Sequence, residues 1–174
     1  YMLRHRHDGP LYPINARATE LMGLPAYPSL RDCPGPVDLA ILLVPREHVR
    51  AAVEDCVAKG VGCALCITAG FAETGEQGRA DEAELVAIAR AGGVRLIGPN
   101  CMGLMNAHHG LCATTGVVMG SIDKLPAGGL GLASQSGALM GAMISRGVDI
   151  GAGFSSMVSV GNQADLDLNE FFEY

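Results

Sequence analysis

The fold class is decided by VDLAILLVPREHVRAAVEDCVAKGVGCALCI, residues 37–67. The first nine residues form an apolar run that ends in proline, which is typical of a strand buried on both faces. Apolar residues then recur with a helical period up to Gly60, so a helix is predicted there. A second buried strand, CALCI, follows. Strand, helix and strand in this order predict a parallel sheet with a right-handed crossover.

The same alternation continues downstream of this unit. A helical pattern runs from about Gly75 to Gly92 and Gly93, and VRLIGPN (94–100) predicts a third buried strand. From residue 101 to residue 126 the periodicity disappears, and no element is predicted there. The chain up to this point is therefore expected to form a βαβαβ unit.

Upstream of residue 37 the signals are weaker. GPLYPIN (9–15) predicts a short strand that leaves a Gly-Pro turn. ATELMGLPAYPSL (18–30) predicts a short helix that is broken by Gly23 and Pro25. A doubly wound unit usually opens with a strand and a glycine-rich turn, and we expect both to lie before Tyr1.

A second unit is predicted after PAGG, residues 126–129. GLGLAS predicts a strand, GALMGAMISRG a helix that stops at Gly147, GAGFSSMVSVGN a strand and ADLDLNEFFEY a further helix. We therefore expect one domain over residues 1–125 and the start of a second, truncated one over 126–174.

Composition excludes several classes of protein. The chain has 174 residues, 49% of them hydrophobic and 17% charged, so it can bury a core. A net charge of −6 without a basic run argues against nucleic acid as the main partner. The sequence contains no apolar stretch of the length that a membrane span needs and no signal-peptide pattern, which argues against a membrane location. Six cysteines in apolar contexts indicate reduced thiols and a cytoplasmic protein.

Cys63 and Cys66 form a CxxC pair inside the predicted strand CALCI. Two strand residues three apart point to opposite faces, so they are poorly placed to share a metal ion. The sequence therefore predicts no metal site.

Ligands of open parallel sheets bind beyond the carboxyl ends of the strands. In this sequence small and polar residues collect at each predicted strand end. They are Asn15, Ala16 and Arg17 after the first strand, Pro45 and Arg46 after the second, Thr68–Phe71 after the third, Gly98–Cys101 after the fourth, Ser134–Gly137 after the fifth, and Gly161 and Asn162 after the sixth.

The segment LGLASQSGALMG (130–141) allows three interpretations: a nucleophilic serine, an anion site or a helix cap. The nucleophile elbow GxSxG is absent and no histidine has an evident partner, which argues against a serine hydrolase. The phosphate-binding motif GxxxxGK[ST] is also absent. Ser136 can cap the helix, and free amides at a helix start favour a negative group. Gly137 lacks a side chain that would block the approach of such a group.

Seven fragments occur in a familiar order: LYPIN, GLPAYPSL, PVDLAILLVP, ITAGFAETGEQG, RLIGPNCMGLMN, LASQSGALM and VSVGNQADLD. Together they resemble the CoA-binding and first ligase-type segments of NDP-forming acyl-CoA synthetases, which include the alpha subunit of succinyl-CoA synthetase. The resemblance covers essentially the whole chain. It implies a Rossmann-like parallel-sheet CoA-binding domain followed by part of a flavodoxin-like α/β domain.

The resemblance also implies a reaction. Acid, CoA and NTP interconvert with acyl-CoA, NDP and phosphate, through an acyl phosphate and a phosphohistidine. It implies an ATP-grasp subunit or fused domain that binds ATP or ADP with Mg²⁺ outside this chain, and an oligomer. The phosphohistidine is expected downstream of Tyr174, so neither His108 nor His109 is assigned that role. The chain alone is then expected to be inactive.

The resemblance assigns two groups of site residues. For CoA they are Asn15, Arg17, Val44, Pro45, Thr68, Ala69, Gly70 and Asn100, and for phosphate they are Ser134, Gln135, Ser136 and Gly137. A guanidinium such as that of Arg17 suits a phosphate by its bidentate geometry. Ala16 departs from the proline that is commoner in the family. Cys101 is interpreted as a packing residue.

Two other functions stay open at this point. A regulatory module that senses CoA or acyl-CoA for a protein acetyltransferase would carry the same fold. A nicotinamide-dependent oxidoreductase is weakened because no acidic residue follows LYPIN, where a ribose-binding carboxylate would lie. Arg17 there would nevertheless suit a 2′-phosphate.

Overall fold

The computed structural model describes residues 1–173. Its strands form a small antiparallel hairpin, a parallel sheet of order β3-β4-β5 and a mixed sheet of order β7-β6-β9-β8. The strands are β1 (Glu20–Leu21), β2 (Leu24–Pro25), β3 (Leu39–Leu42), β4 (Cys63–Cys66), β5 (Arg95–Ile97), β6 (Gly103–Asn106), β7 (Leu111–Thr114), β8 (Ala127–Ser134) and β9 (Phe154–Ser159). The α-helices are α1 (Arg46–Lys59), α2 (Glu76–Ala91), α3 (Gly137–Asp149) and α4 (Leu168–Glu173).

The predicted βαβαβ unit is confirmed, with β3, β4 and β5 parallel and joined by α1 and α2. Helix α1 ends where the pattern predicts, because Gly60 adopts a left-handed conformation with φ of +74°. Val49 and Val53 on α1 and Leu85 and Ala89 on α2 are buried and pack against the sheet. Together with apolar residues of the sheet, these helix residues form the first hydrophobic core.

The mixed sheet combines a parallel pair with an antiparallel hairpin. Strands β8 and β9 are parallel and α3 connects them, as the sequence predicts. Strands β6 and β7 lie in the segment where no element is predicted, and β6 pairs antiparallel with β9. These two strands precede residue 126 and yet share a sheet with β8 and β9. The position of a domain boundary near residues 125 and 126 stays a prediction.

A further core joins the two large sheets. Leu65 of β4 and Ile97 of β5 pack with Ala113 of β7 and with Val158 and Val160 at the end of β9. All five are buried. The carboxyl ends of β5 and β9 are thereby held side by side, which positions the loops that follow them.

One buried carboxylate ties the end of the chain to the first sheet. The Asp165 side chain is fully buried and accepts hydrogen bonds from Arg95 Nε at 3.0 Å, from the Leu96 amide at 2.7 Å and from Arg90 Nε at 2.5 Å. Burial raises the pKa of Asp165, but the hydrogen bonds from Arg95, Leu96 and Arg90 outweigh it and hold this pKa below its usual range.

Two predictions upstream of β3 are wrong. In place of the strand over residues 9–15 there is a single bridge between Ile14 and Tyr27, because Pro10 and Pro13 have no amide hydrogen to donate to a ladder. In place of the helix over residues 18–30 there is the β1–β2 hairpin. Its turn is Met22-Gly23, both with positive φ, a conformation that favours a two-residue hairpin loop.

Two smaller predictions are also corrected. Helix α3 does not stop at Gly147 but continues to Asp149, and a Cβ on Gly147 would lie 2.5 Å from the Phe154 ring. The absence of a side chain at residue 147 therefore allows α3 to pack closely against the Phe154 ring of β9. Strand β3 is buried on one face only, because Ile41 is 41% exposed and Leu43, just after the strand, is 63% exposed.

The six cysteines are free thiols, and all but Cys63 are buried. Burial raises the pKa of the Cys56 and Cys66 thiols to about 12 and that of Cys101 to about 11. Cys101 also donates from Sγ to the Cys66 carbonyl oxygen at 3.3 Å. This environment favours a packing role for Cys101.

We expect Cys56 and Cys66 to resist alkylation in the folded chain. A thiol pKa about three units above the ordinary value leaves about a thousandfold less thiolate at pH 8. Iodoacetamide labelling followed by peptide mass spectrometry measures this, with the urea-unfolded chain as the control. Labelling of folded Cys66 at the rate of the unfolded chain would contradict the prediction.

Candidate functional site

Hydrogen bonds tie together the loops after β3, β4 and β5. Thr68 Oγ1 donates to the Val44 carbonyl oxygen at 2.7 Å. The Asn100 amide in turn donates to the Thr68 carbonyl oxygen at 3.0 Å. Thr68 and Asn100, predicted from strand ends, and Val44, assigned to CoA by the family resemblance, therefore lie in one contiguous patch at the carboxyl edge of the parallel sheet.

Arg46, the first residue of α1, reaches across this patch. Its Nε donates to the Gly70 carbonyl oxygen, its guanidinium lies 5.3 Å from the Phe71 ring centroid, and it pairs with Asp81. Gly70 has φ of +106°, and a Cβ there would lie 2.7 Å from Arg46 Cδ. A side chain at residue 70 would therefore disturb both the loop and the arginine. Pro45 and the exposed Ala69 flank these residues.

Asn162, in the loop after β9, connects both halves of the chain at this edge. Its Nδ2 donates to Glu73 Oε2 at 2.6 Å and to Glu82 Oε2 at 2.7 Å. Its Oδ1 accepts from Asn100 Nδ2 at 3.2 Å, and its backbone amide donates to the Pro99 carbonyl oxygen at 2.9 Å. A single amide side chain thus fixes the loops after β4, β5 and β9 relative to one another.

The carboxylate of Glu73 organises the loop after β4. It accepts hydrogen bonds from the amides of Gly70 and Phe71 as well as from Asn162. Burial raises the pKa of Glu73, but these hydrogen bonds outweigh it and lower the pKa below its usual range. Glu73 is therefore ionised at neutral pH and holds the loop in shape, so it is poorly suited to proton transfer there.

The second part of the site is the start of α3. Ser136 Oγ accepts from the Leu139 amide at 3.3 Å and so caps the helix. The buried Ser134 hydroxyl donates to the Ser136 carbonyl oxygen at 2.9 Å, and Gln135 Nε2 donates to the Gly161 carbonyl oxygen at 3.3 Å. Gln135 thereby links this turn to the loop that carries Asn162.

Gly137 is explained by packing. A Cβ there would lie 2.5 Å from Met102 Cβ. The missing side chain therefore makes room for Met102, which revises our interpretation that it keeps a path open for a ligand. Within residues 1–173 the amides of Gly137 and Ala138 have no hydrogen-bond partner, so they remain able to bind an anion.

Asn15 and Arg17 are not joined to this patch. Asn15 Oδ1 accepts from the amides of Arg17 and Ala18, both at 2.9 Å, and so closes its own turn. Among the described residues no hydrogen bond or ion pair engages the Arg17 guanidinium. Its proposed contact with CoA phosphate stays a prediction.

Sequence reasoning missed two residues that build the site, Glu73 and Glu82, and identified Arg46 without its contacts. Arg46 follows a strand end, which is a usable signal. The two glutamates lie in and just before a helix, and their roles depend on contacts with Asn162 about 80 residues away. The part of the chain that the structure describes has no cluster of three metal-ligating side chains and no helix long and apolar enough to cross a membrane.

Comparison with known proteins matches both parts of the chain to described families. Residues 1–107 match the family described as CoA binding domain. Residues 127–174 match the family described as succinyl-CoA ligase like flavodoxin domain. The predicted order of a Rossmann-like CoA-binding part and a flavodoxin-like part is thereby confirmed.

The chain is similar to the alpha subunit of ADP-forming acetate–CoA ligase II from Pyrococcus furiosus, with 44% identity over 99% of this chain and 36% of the relative. It is 42% identical to ADP-forming acetate–CoA ligase I from Archaeoglobus fulgidus, over 96% of this chain and 24% of the relative. The chain thus spans about a third of the length of the first relative and about a quarter of the length of the second.

The chain is also similar to a solved structure. It is the dinucleotide forming acetyl-coenzyme A synthetase 1 from Ca. Korarchaeum cryptofilum in complex with phosphate and ADP. The TM-score is 0.92 at 41% identity, over 99% of this chain and 36% of that chain.

Proposed function

The chain belongs to the CoA binding domain family, and from this premise we propose that it is the CoA-binding part of an NDP-forming acyl-CoA synthetase. The observation that carries the proposal is the linked patch at the strand ends. Val44, Thr68 and Asn100 are joined by hydrogen bonds, and Asn162 brings the loop next to the α3 start against them. The CoA site at the strand ends and the anion site at the start of α3 would then lie next to each other.

In the proposed reaction a phosphate oxygen attacks the thioester carbonyl carbon of acyl-CoA. The carbon–sulfur bond breaks, and the products are acyl phosphate and CoA. The loop from Thr68 to Phe71 would contact CoA at the carboxyl end of β4, where the Arg46 side chain lies against Gly70. The amides of Gly137 and Ala138, at the positive end of the α3 dipole, would stabilise the phosphate. Transfer through a histidine to the nucleotide would follow outside these residues.

The rest of the proposal concerns the larger enzyme. We expect a small carboxylic acid as the acyl substrate, an ATP-grasp subunit or fused domain that binds ADP or ATP with Mg²⁺, an oligomeric assembly and a cytoplasmic location. One solved relative is in complex with phosphate and ADP, which supports a nucleotide-binding partner. The regulatory CoA-sensing alternative receives no support from the relatives described above, which are ligases and a synthetase.

Calorimetric titration with CoA and with NADP tests the proposed function. We expect saturable heat with CoA and none with NADP. Arg17→Ala is expected to weaken CoA binding about tenfold, as the loss of one charge-assisted phosphate contact does. Arg146→Ala removes an exposed arginine elsewhere and is the control. Binding of NADP without binding of CoA would overturn the proposal.

Ser136→Pro is expected to weaken phosphate binding about tenfold, because proline removes the Ser136 amide, which, like those of Gly137 and Ala138, has no hydrogen-bond partner within residues 1–173. Phosphorus NMR titration with inorganic phosphate measures the affinity. Ser136→Gly is the matched control, since it loses the hydroxyl cap and keeps the amide. An unchanged phosphate affinity in the proline variant would exclude the anion site at this turn.

A further inference from the structure

A cavity of about 450 Å³ lies at the end of the mixed sheet opposite the start of α3. It is lined by Arg4, His5, Arg6 and Asp8, by the turn between β6 and β7 and by residues of the 119–125 segment. Asn106, in its wall, pairs with Ser156 of β9, whereas the α3 turn lies at the carboxyl ends of β8 and β9, where Ser134 pairs with Ser159. His108, also in the wall, contacts the Gly128 carbonyl oxygen, and six residues of β8 separate Gly128 from Ser134 by roughly 20 Å.

This cavity, which we call the amino-edge cavity, concentrates positive charge in an acidic chain. The chain has 12 lysines and arginines against 18 aspartates and glutamates. The cavity is lined by the cationic residues Arg4, Arg6 and Lys124, by the histidines His5, His108 and His109, and by the carboxylates Asp8 and Asp123. Arg4 pairs with Asp123 at 2.7 Å. Among the described residues Arg6 and Lys124 form no ion pair, so their charges are available to a ligand.

His5 supplies an independent observation. Its Nε2 is buried and has no hydrogen-bond partner within residues 1–173. Buried polar groups are nearly always paired, and an unpaired one in a cavity wall is explained by a group that binds there. The neighbouring turn is already held in place, because the amides of His108 and His109 donate to Asn106 Oδ1 at 3.0 and 3.2 Å.

We propose that the amino-edge cavity binds a small phosphate-bearing anion, either free phosphate or a phosphomonoester. Arg6 and Lys124 supply the charge, and His5 Nε2 donates a hydrogen bond to a phosphate oxygen. The volume is in the range of small-molecule pockets, so it accommodates a phosphomonoester as well as free phosphate. This site is separate from the start of α3 and does not depend on the proposed function.

Amide NMR titration distinguishes the two sites, because each has its own reporters. With inorganic phosphate and, separately, glycerol 3-phosphate, we expect saturable shifts at the amides of Asn106 to Leu111. The anion that binds more tightly shows whether the cavity takes free phosphate or a phosphomonoester. The double variant Arg6→Ala with Lys124→Ala is expected to weaken the affinity measured from these shifts at least tenfold. The shifts of the Gly137 amide should stay unchanged.

Two further variants complete the test. The double variant Arg79→Ala with Arg146→Ala removes two exposed charges elsewhere that form no ion pair within residues 1–173, and it should bind as the unmodified chain does. His5→Phe keeps the ring shape and loses the nitrogen, so it should weaken binding severalfold. Absence of shifts at residues 106–111 with both anions overturns the proposal, as does equal weakening by the two double variants.

Discussion

Asp165→Asn is expected to lower the free energy of unfolding by about 3 kcal/mol. The side chain is fully buried and accepts from two guanidinium groups and one backbone amide. Asparagine keeps the shape but removes the charge that faces Arg90 and Arg95. Both arginines are about half exposed, so water compensates part of the loss. Urea unfolding monitored by circular dichroism measures the change.

The pH dependence of stability tests independently whether Asp165 is ionised in the folded chain. Because the pKa of Asp165 is lowered by folding, its contribution is complete above the unfolded value of about 3.9 and disappears as the pH falls through the folded value. The difference between the unmodified chain and the variant should therefore narrow below about pH 4. Asp149→Asn, at an exposed position, is the control. A difference that stays constant down to pH 2 would be inconsistent with an ionised Asp165.

Gly78→Ala is expected to destabilise the chain by about 2 kcal/mol and to weaken CoA binding. Inside a helix this substitution normally stabilises by about 1 kcal/mol. Here a Cβ would lie 1.9 Å from the Phe71 carbonyl oxygen and 2.4 Å from Thr74 Oγ1. The helix or the loop after β4 has to move, and that loop belongs to the candidate CoA site.

Gly141→Ala is the matched control for this prediction. Gly141 also lies inside a helix, but the nearest atom to its Cβ is Met102 Cε at 3.6 Å, an ordinary contact. We expect a gain of about 1 kcal/mol there. Urea unfolding and CoA titration of both variants give the comparison. If Gly78→Ala were as stable as Gly141→Ala, the close approach of Phe71 to α2 would be refuted.

The elements with a strong period were predictable from the sequence. The unit from β3 to β5 follows from apolar runs and a helical period with Gly60 as its stop, and local signals suffice for it. The hairpin β1–β2 was missed because nothing local indicates a positive φ at Met22. Strands β6 and β7 were missed because each has only four residues, and because the second partner of β6 is β9, 50 or more residues downstream.

The candidate site was predictable to a similar extent. The rule that ligands bind at strand ends led to Thr68 and Asn100, and the family resemblance added Val44; the structure joins these three residues by hydrogen bonds. Glu82 was not found, because a glutamate on an amphipathic helix looks like a solvated residue until its partner is known. That partner, Asn162, comes from a distant loop. Long-range contacts of this kind leave no local pattern in the sequence.

The order of strands in the mixed sheet has a consequence for synthesis on the ribosome. Strand β6 emerges early but pairs with β9, and Gly103 meets Ser159 only after a further 56 residues have been translated. Until then the β6 edge of the β6–β7 hairpin stays unpaired, and the apolar face that includes Met105 and Cys112 is exposed to water. This nascent intermediate is where chaperone capture or misassembly of the chain would begin.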